Sequence, residues 1–347
     1  MDEHTAARSL PELRAAAVQF EPRPADKSFN LARIAAFVEQ ASDQGVQLVA
    51  FPEMCLVGYW HLRNLSRDQL VGLAEPISGP SVAAVSALAR RSGIGIGIGF
   101  LEVDERGLLY NAYAVCLPDG QTHCHRKLHA FEHESICSGD VFTVFDTPWS
   151  VRVGVLICWD NNLVENVRAT ALLGAEVIVA PHQTGGTASR SPHGMHPIPM
   201  SVWDARETDP EAIRSAILGP SGRGWLMRWL PSRAHDNGVF VVFSNGIGRD
   251  DDEVRTGNAM IIDPYGRIVA ESTAASDDMV VASLDLELLP LSTGRRWIKG
   301  RRPELYGILT ERFGDERDAR TARFSTEPAQ TPGGFGTDST RRNPGGG

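Results

Sequence analysis

Residues 46–51 read VQLVAF, an apolar run with almost no alternation. A strand with one wet face alternates with period two, so a continuous run belongs to a strand buried on both faces, as in α/β proteins. The preceding segment fits. LRAAAVQF (13–20) reads as a strand, and Pro22 and Pro24 punctuate its end. Leu31, Ile34, Ala35 and Val38 then recur at helical spacing before Gly45 closes the helix. The unit is strand, helix, strand.

The pattern repeats along the chain. Pro80 opens a helix through Arg91, and GIGIGIGF (93–100) reads as a strand packed closely on one face. It is not a dinucleotide loop, because Leu101-Glu102-Val103 follows where that fingerprint needs a helix. Strands are expected at 110–116, 151–157 and 176–180 (EVIVA), with a helix at 163–173 closed by Gly174. A helix and strand follow through 225–243, then strands at 258–263, 267–270 and 279–285, the first two joined by the turn Asp263-Pro264-Tyr265-Gly266. No repeat or linker interrupts this mixed α/β pattern, so residues 10–313 read as one domain. Within it, 182–224 is a long polar, Pro- and Gly-rich excursion expected near the substrate. The tail 314–347 holds too few large apolar residues to order by itself, and reads as flexible or docked on a partner subunit.

A chain of 347 residues, 42% apolar and 22% charged, can bury a sizeable core. Its formal charge of -9 argues against nucleic-acid or membrane-surface binding, which needs clustered Lys and Arg. Small-molecule chemistry is the expectation. The five cysteines (55, 116, 124, 137, 158) form no CxxC pair and suit reduced thiols in the cytoplasm. The opening MDEHTAARSLPELRAAAVQF lacks the order of an export signal, and no apolar run reaches the roughly 18 residues of a membrane span.

Cys158 stands where VRVGVLI (151–157) ends and NNLVENVRATALLG (161–174) begins, at a strand's carboxyl end just ahead of a helix. Open α/β sheets place their sites there, and a helix N-terminus favours thiolate. Glu53 holds the same position after VQLVAF. Lys127 lies in HCHRKLHAFEHE (123–134), after YNAYAVCLPDG (110–120). Taken singly, these read as an inert core thiol, a solvated loop acid and a surface cation. Taken together, they are the parts of acyl transfer through a thioester: a carboxylate takes the thiol proton, and an ammonium favours thiolate and holds the oxyanion. Two other classes stay open on these residues, a Cys-His hydrolase of papain type and an idle binding module.

FPEMCLVGYW (51–60), HRKLHAFEHE (125–134) and GVLICWDNN (154–162) closely resemble the three motif blocks of the nitrilase superfamily of carbon-nitrogen hydrolases, in the order Glu, Lys, Cys. The resemblance spans 12–310 and takes in SRAHDNGVFVVFSN (232–245) and TGNAMIIDPYGRIVAE (256–271). It implies Cys158 as nucleophile and Glu53 as general base, with Lys127 and the backbone amide of Trp159 stabilising the oxyanion. Glu134 matches a second glutamate that orients Lys and substrate in many members, with Glu132 a close competitor. The implied fold is a four-layer α-β-β-α sandwich whose subunits pair through helices as a homodimer or larger assembly, using no metal or organic cofactor. His123 and His125, or His193 and His196, lack the spacing and distant partners of a structural zinc site.

Nitrilases of this superfamily carry Cys-Trp-Glu, with Pro six positions after the cysteine. Asp160 and Val164 stand at those positions here. Glu165 instead resembles the acid found there in many amide and carbamoyl-amide hydrolases, with Arg168 at the usual offset, although Leu163-Val164 replaces their usual Phe-Pro. The resemblance therefore implies hydrolysis of a small amide or N-carbamoyl amide, releasing ammonia or an amine, ahead of nitrile hydrolysis. Tyr59, Asp160, Glu165, His182 and Trp203 are the candidate substrate contacts.

Overall fold

The computed structural model describes residues 12–185, 193–312, 314 and 316–324. Its strands are β1 (Leu13–Phe20), β2 (Leu48–Ala50), β3 (Gly95–Val103), β4 (Leu109–Cys116), β5 (Thr122–Arg126), β6 (Ile136–Cys137), β7 (Thr143–Asp146), β8 (Arg152–Val155), β9 (Val177–His182), β10 (Phe240–Asp250), β11 (Glu253–Thr256), β12 (Met260–Ile262), β13 (Ile268–Glu271) and β14 (Asp278–Leu284). The helices are α1 (Lys27–Asp43), α2 (Arg67–Leu73), α3 (Pro80–Ser92), α4 (Val164–Leu172), α5 (Met200–Asp204), α6 (Pro210–Leu218), α7 (Arg223–Leu226), α8 (Leu230–Asn237), α9 (Leu288–Leu291), α10 (Thr293–Lys299) and α11 (Ala319–Phe324). Strand neighbours run β5-β4-β3-β2-β1-β10-β9-β8-β7, with β14 added antiparallel to β1 and β12 antiparallel to β10.

Alternation within the strands explains the layers. In β1, Ala16, Val18 and Phe20 pack with Ile34, Phe37 and Val38 of α1 and with Val82 and Val85 of α3. Leu13, Ala15 and Ala17 face the other way, into a core shared with Val153, Val155, Val177, Val179, Phe240 and Val242 from the other half of the sheet. The opposite faces of β9 and β10, through Ile178, Ala180, Val241 and Phe243, meet Val167 of α4 and Leu230 and Ala234 of α8. Helices, sheet, sheet and helices follow one another, so the runs VQLVAF and VFVVF need no polar face.

The GIGIG segment shows why one face of β3 is bare. Ile96, Ile98 and Phe100 enter the helix-side core. On the other face, a Cβ on Gly97 would sit 2.6 Å from the Tyr113 ring, and one on Gly99 would sit 2.1 Å from the Met54 backbone nitrogen. Glycine lets the segment carrying Glu53 lie directly on the strand.

The structure revises several expectations. Only Leu48–Ala50 of the 46–51 run pairs as strand, whereas β10 continues well beyond residue 243. The short edge strands β5, β7 and β11 were not expected: β5 and β11 lack an apolar signature, and β7 offers only Val144 and Phe145 in four residues. The described part of 182–224 carries α5, α6 and the start of α7: Trp203, Ile213 and Ile217 of α5 and α6 bury against Ile247 and Val254 in a small core of their own. Residues 186–192 of that segment, and 325–347 of the tail, lie outside the described residues. Among the described residues no helix is long and apolar enough to cross a membrane.

Candidate active site

β2, β3, β8, β9 and β10 are linked by parallel pairings through β1, and β5 regains that direction through two antiparallel steps. Their carboxyl ends therefore open on one side. Glu53 follows β2, Lys127 follows β5 and Cys158 follows β8, so the fold alone brings the three together.

The Lys127 ammonium is fully buried and donates to Glu53 Oε1 at 2.7 Å and to Glu132 Oε1. Asn111 Nδ2 donates to the same two oxygens, at 2.6 and 2.9 Å. Two carboxylates thus share one ammonium and one amide, all of them buried. The other Glu53 oxygen, Oε2, is buried without a hydrogen-bond partner among the described residues, an arrangement that costs free energy and suits an atom that takes a proton. Main-chain bonds fix the frame: Lys127 N to Asn111 O at 2.8 Å, Gly139 N to Lys127 O at 2.7 Å, and Gln183 Nε2 to the Glu53 carbonyl at 2.8 Å.

Cys158 begins a 3-10 turn, Cys158–Asn161, and has φ of 49°, a left-handed value that non-glycine residues seldom adopt. The first amides of such a turn have no partner within it, which leaves the Trp159 N–H available beside the sulfur. Asp160 holds this strained turn in place. Its buried carboxylate accepts from Ile157 N at 3.1 Å, Leu128 N at 3.1 Å and His129 N at 3.0 Å. One side chain therefore ties the segment after Lys127 to the residue before Cys158.

Charge follows geometry. Burial, and then the charge of Cys158, push the Glu53 carboxyl well above the ordinary carboxylate range. Burial alone would neutralise Lys127, but Glu132, Glu53 and Cys158 outweigh it and hold the ammonium charged. Asp160 is the reverse of Glu53: burial would raise it, yet bonds from His125 and His129 keep it well below its usual value. The site thus holds a carboxyl able to carry a proton at mild pH, a permanent cation and a thiol, which suits proton transfer and oxyanion stabilisation.

Cys158 and Trp159 line a cavity of about 470 Å³ with Tyr59, Trp60, Phe131, Gln183, Met195, Trp225, Arg228, Trp229, Arg255 and Arg323 among its walls. Lys127 Nζ lies 4.5 Å from the centre of the Phe131 ring and 5.7 Å from that of Tyr59, so the aromatic wall adjoins the charged cluster.

Comparison with known proteins identifies the family. The family model described as carbon-nitrogen hydrolase matches residues 14–205 and 216–290. The chain belongs to the carbon-nitrogen hydrolases of the nitrilase superfamily. An (R)-stereoselective amidase of a Pseudomonas species is 32% identical over 302 residues, covering 85% of this chain and 93% of that protein. The omega-amidase NIT2-A of Xenopus laevis is 30% identical, covering 85% and 97%. Among solved structures, Saccharomyces cerevisiae Nit3 superposes with a TM-score of 0.64 at 25% identity, covering 86% of this chain and 99% of its own. An amidase from Nesterenkonia sp. AN1, bearing an acetamide moiety on its active-site cysteine, shares the fold with a TM-score of 0.61 at 21% identity, covering 86% and 97%.

In this carbon-nitrogen hydrolase the residues singled out from sequence fare unequally. Glu53, Lys127 and Cys158 converge, and Tyr59 lines the cavity with its hydroxyl 3.4 Å from Glu132 Oε1. Glu134 requires correction: it is exposed, and Glu132 takes the place beside Lys127. Asp160 is a buried tie between loops and does not line the cavity. Glu165 is exposed at a separate surface groove with Arg168 and Arg233. Trp203 is buried in the small core of α5 and α6. His182 sits behind the site. Its Nε2 meets Asn161 Nδ2 at 3.2 Å, its Nδ1 meets Thr184 Oγ1 at 2.9 Å, and burial pushes its pKa down to about 3. Asn111 and Gln183 escaped notice, although a polar residue inside the buried strand YNAYAVC is a signal in itself.

Replacing Glu132 by Gln is expected to lower kcat/KM by about 10²-fold, since it loosens the group that orients Lys127. Glu134→Gln should change it less than about twofold. Steady-state assays of both variants check the assignment, and a reversed ranking would restore Glu134.

Proposed function

We propose that the chain hydrolyses small carboxamides through a thioester on Cys158. Glu53 takes the thiol proton, and the thiolate attacks the amide carbonyl carbon. The resulting oxyanion is held by Lys127 and the Trp159 amide. As the C–N bond breaks, Glu53 returns the proton to nitrogen, which leaves as ammonia or an amine. Glu53 then takes a proton from water, the hydroxyl adds to the thioester, and the acid leaves as Cys158 regains its proton.

The observation that carries this reading is the buried Lys127 bound to both Glu53 and Glu132 at the wall of the cavity that Cys158 lines. The amidase and omega-amidase names of its relatives favour amides, and a wall of Trp60, Phe131, Trp225 and Trp229 favours an acyl group with apolar bulk. Self-association through helices has support in the exposed Val164, Leu172 and Leu173 around α4. The test is ammonia release across a panel of primary amides, N-carbamoyl compounds and nitriles, with intact-mass measurement during turnover. Amides are expected to be fastest, with the protein gaining the mass of the acyl group minus one hydrogen. Turnover confined to nitriles would overturn the proposal, as would turnover without any adduct when deacylation is the slow step.

A further inference from the structure

The last described helix, α11, lies against the cavity rather than in the layered body. Phe324 stacks on Trp60, with ring centres 6.4 Å apart and planes at 24°, and meets Phe131 edge-on at 6.4 Å. Arg320 Nη1 donates to the Phe131 carbonyl at 3.2 Å, and Ala319 packs on the cluster that contains Trp60 and Phe131. Phe131 in turn meets Trp159, the residue after the nucleophile, at 5.0 Å. Between these rings the guanidinium of Arg323 stands 6.0 Å from Phe131 and 5.6 Å from Phe324, and it lines the cavity. Phe324 remains half exposed, so the attachment is shallow and local. Arg323 joins Arg228 in adding positive charge to the cavity wall, whose third guanidinium, Arg255, is already paired with Asp250 and Glu253.

We propose that residues 319–324 form a clip-on outer wall of the active-site cavity, anchored by Phe324 and presenting Arg323 as a specificity-determining cation at the mouth. The wall raises the local concentration of anionic reactants and narrows the opening to bulky ones. This role holds whichever C–N bond the enzyme cleaves.

The test uses the reactivity of Cys158 in the full-length protein, so it does not depend on the substrate. Iodoacetate and iodoacetamide are close in size and differ in charge, and their alkylation rates at Cys158 are read by peptide mass. Arg323→Gln is expected to lower the iodoacetate-to-iodoacetamide rate ratio by about threefold at low ionic strength, with the difference shrinking as salt is added. Phe324→Ala, which removes the anchor, is expected to lower the ratio similarly and also to quicken labelling by a bulky fluorescent maleimide. A wild-type ratio in either variant overturns the proposal, as does a Phe324→Ala variant that labels no faster with the maleimide.

Discussion

Glu53→Gln is expected to lower kcat/KM by about 10³- to 10⁴-fold while raising the melting temperature. The rate loss follows from removing a base that serves both thiol and water. The gain in stability follows from burial. A carboxyl whose pKa is higher folded than unfolded contributes stability below its ordinary value of 4.5, and that contribution is lost as pH rises through the folded value. A Glu53 that ionises in the folded state is therefore a burden, and Lys127 keeps Glu132 as partner when it is removed. A rise of about 1–2 °C at pH 7, vanishing below about pH 4.5, corresponds to a change near 1 kcal/mol in a chain of 347 residues. In the wild type the acid limb of kcat/KM should fall above the ordinary carboxylate range. Calorimetry with a pH–rate profile checks both halves. A nearly unaffected rate would point instead to a Cys-His enzyme.

Lys127→Met should lose activity and, unlike Glu53→Gln, stability as well. It removes an oxyanion donor, at a cost of about 10²- to 10³-fold in kcat, and leaves two buried carboxylates facing one another. Breaking a buried pair in this way costs about 3–5 kcal/mol. Adding Glu132→Gln should recover much of the stability and none of the activity, because the repulsion is relieved while the donor stays absent. Urea unfolding and steady-state rates on the single and double variants separate the two effects. Stability that stays low in the double variant would mean that Lys127 supports the fold by some other contact.

Glu53 and Cys158 were legible because each follows an apolar run at its carboxyl end, whereas Lys127 leaves the polar strand β5, and the strand directions then bring the three ends together. Glu132 was harder to read. The turn after β5 has no period from which to count, so spacing could not say which of two nearby acids turns inward. The difference lay in their neighbours: Glu132 follows Ala130 and Phe131, both buried, whereas Glu134 sits between His133 and Ser135. Asp160 was misjudged for a related reason. Its position beside the nucleophile suggested substrate, but four-way bonding inside the protein leaves it nothing to offer a ligand. The edge strands β5 and β11 are short and carry His, Thr, Arg and Glu, so no apolar signature marked them, and β7 is only four residues long. In 182–224, Pro and Gly hid a helix that Ile213 and Ile217, one turn apart, would have disclosed.

Gly99 carries a consequence for how this sequence can drift. The loop bearing the base rests on a strand position where the decisive feature is a missing methyl group, so even alanine there would lift the carboxylate away from its ammonium. A residue that never meets the reactants thereby sets the height of the one that must, and variation on that strand is filtered by chemistry performed above it.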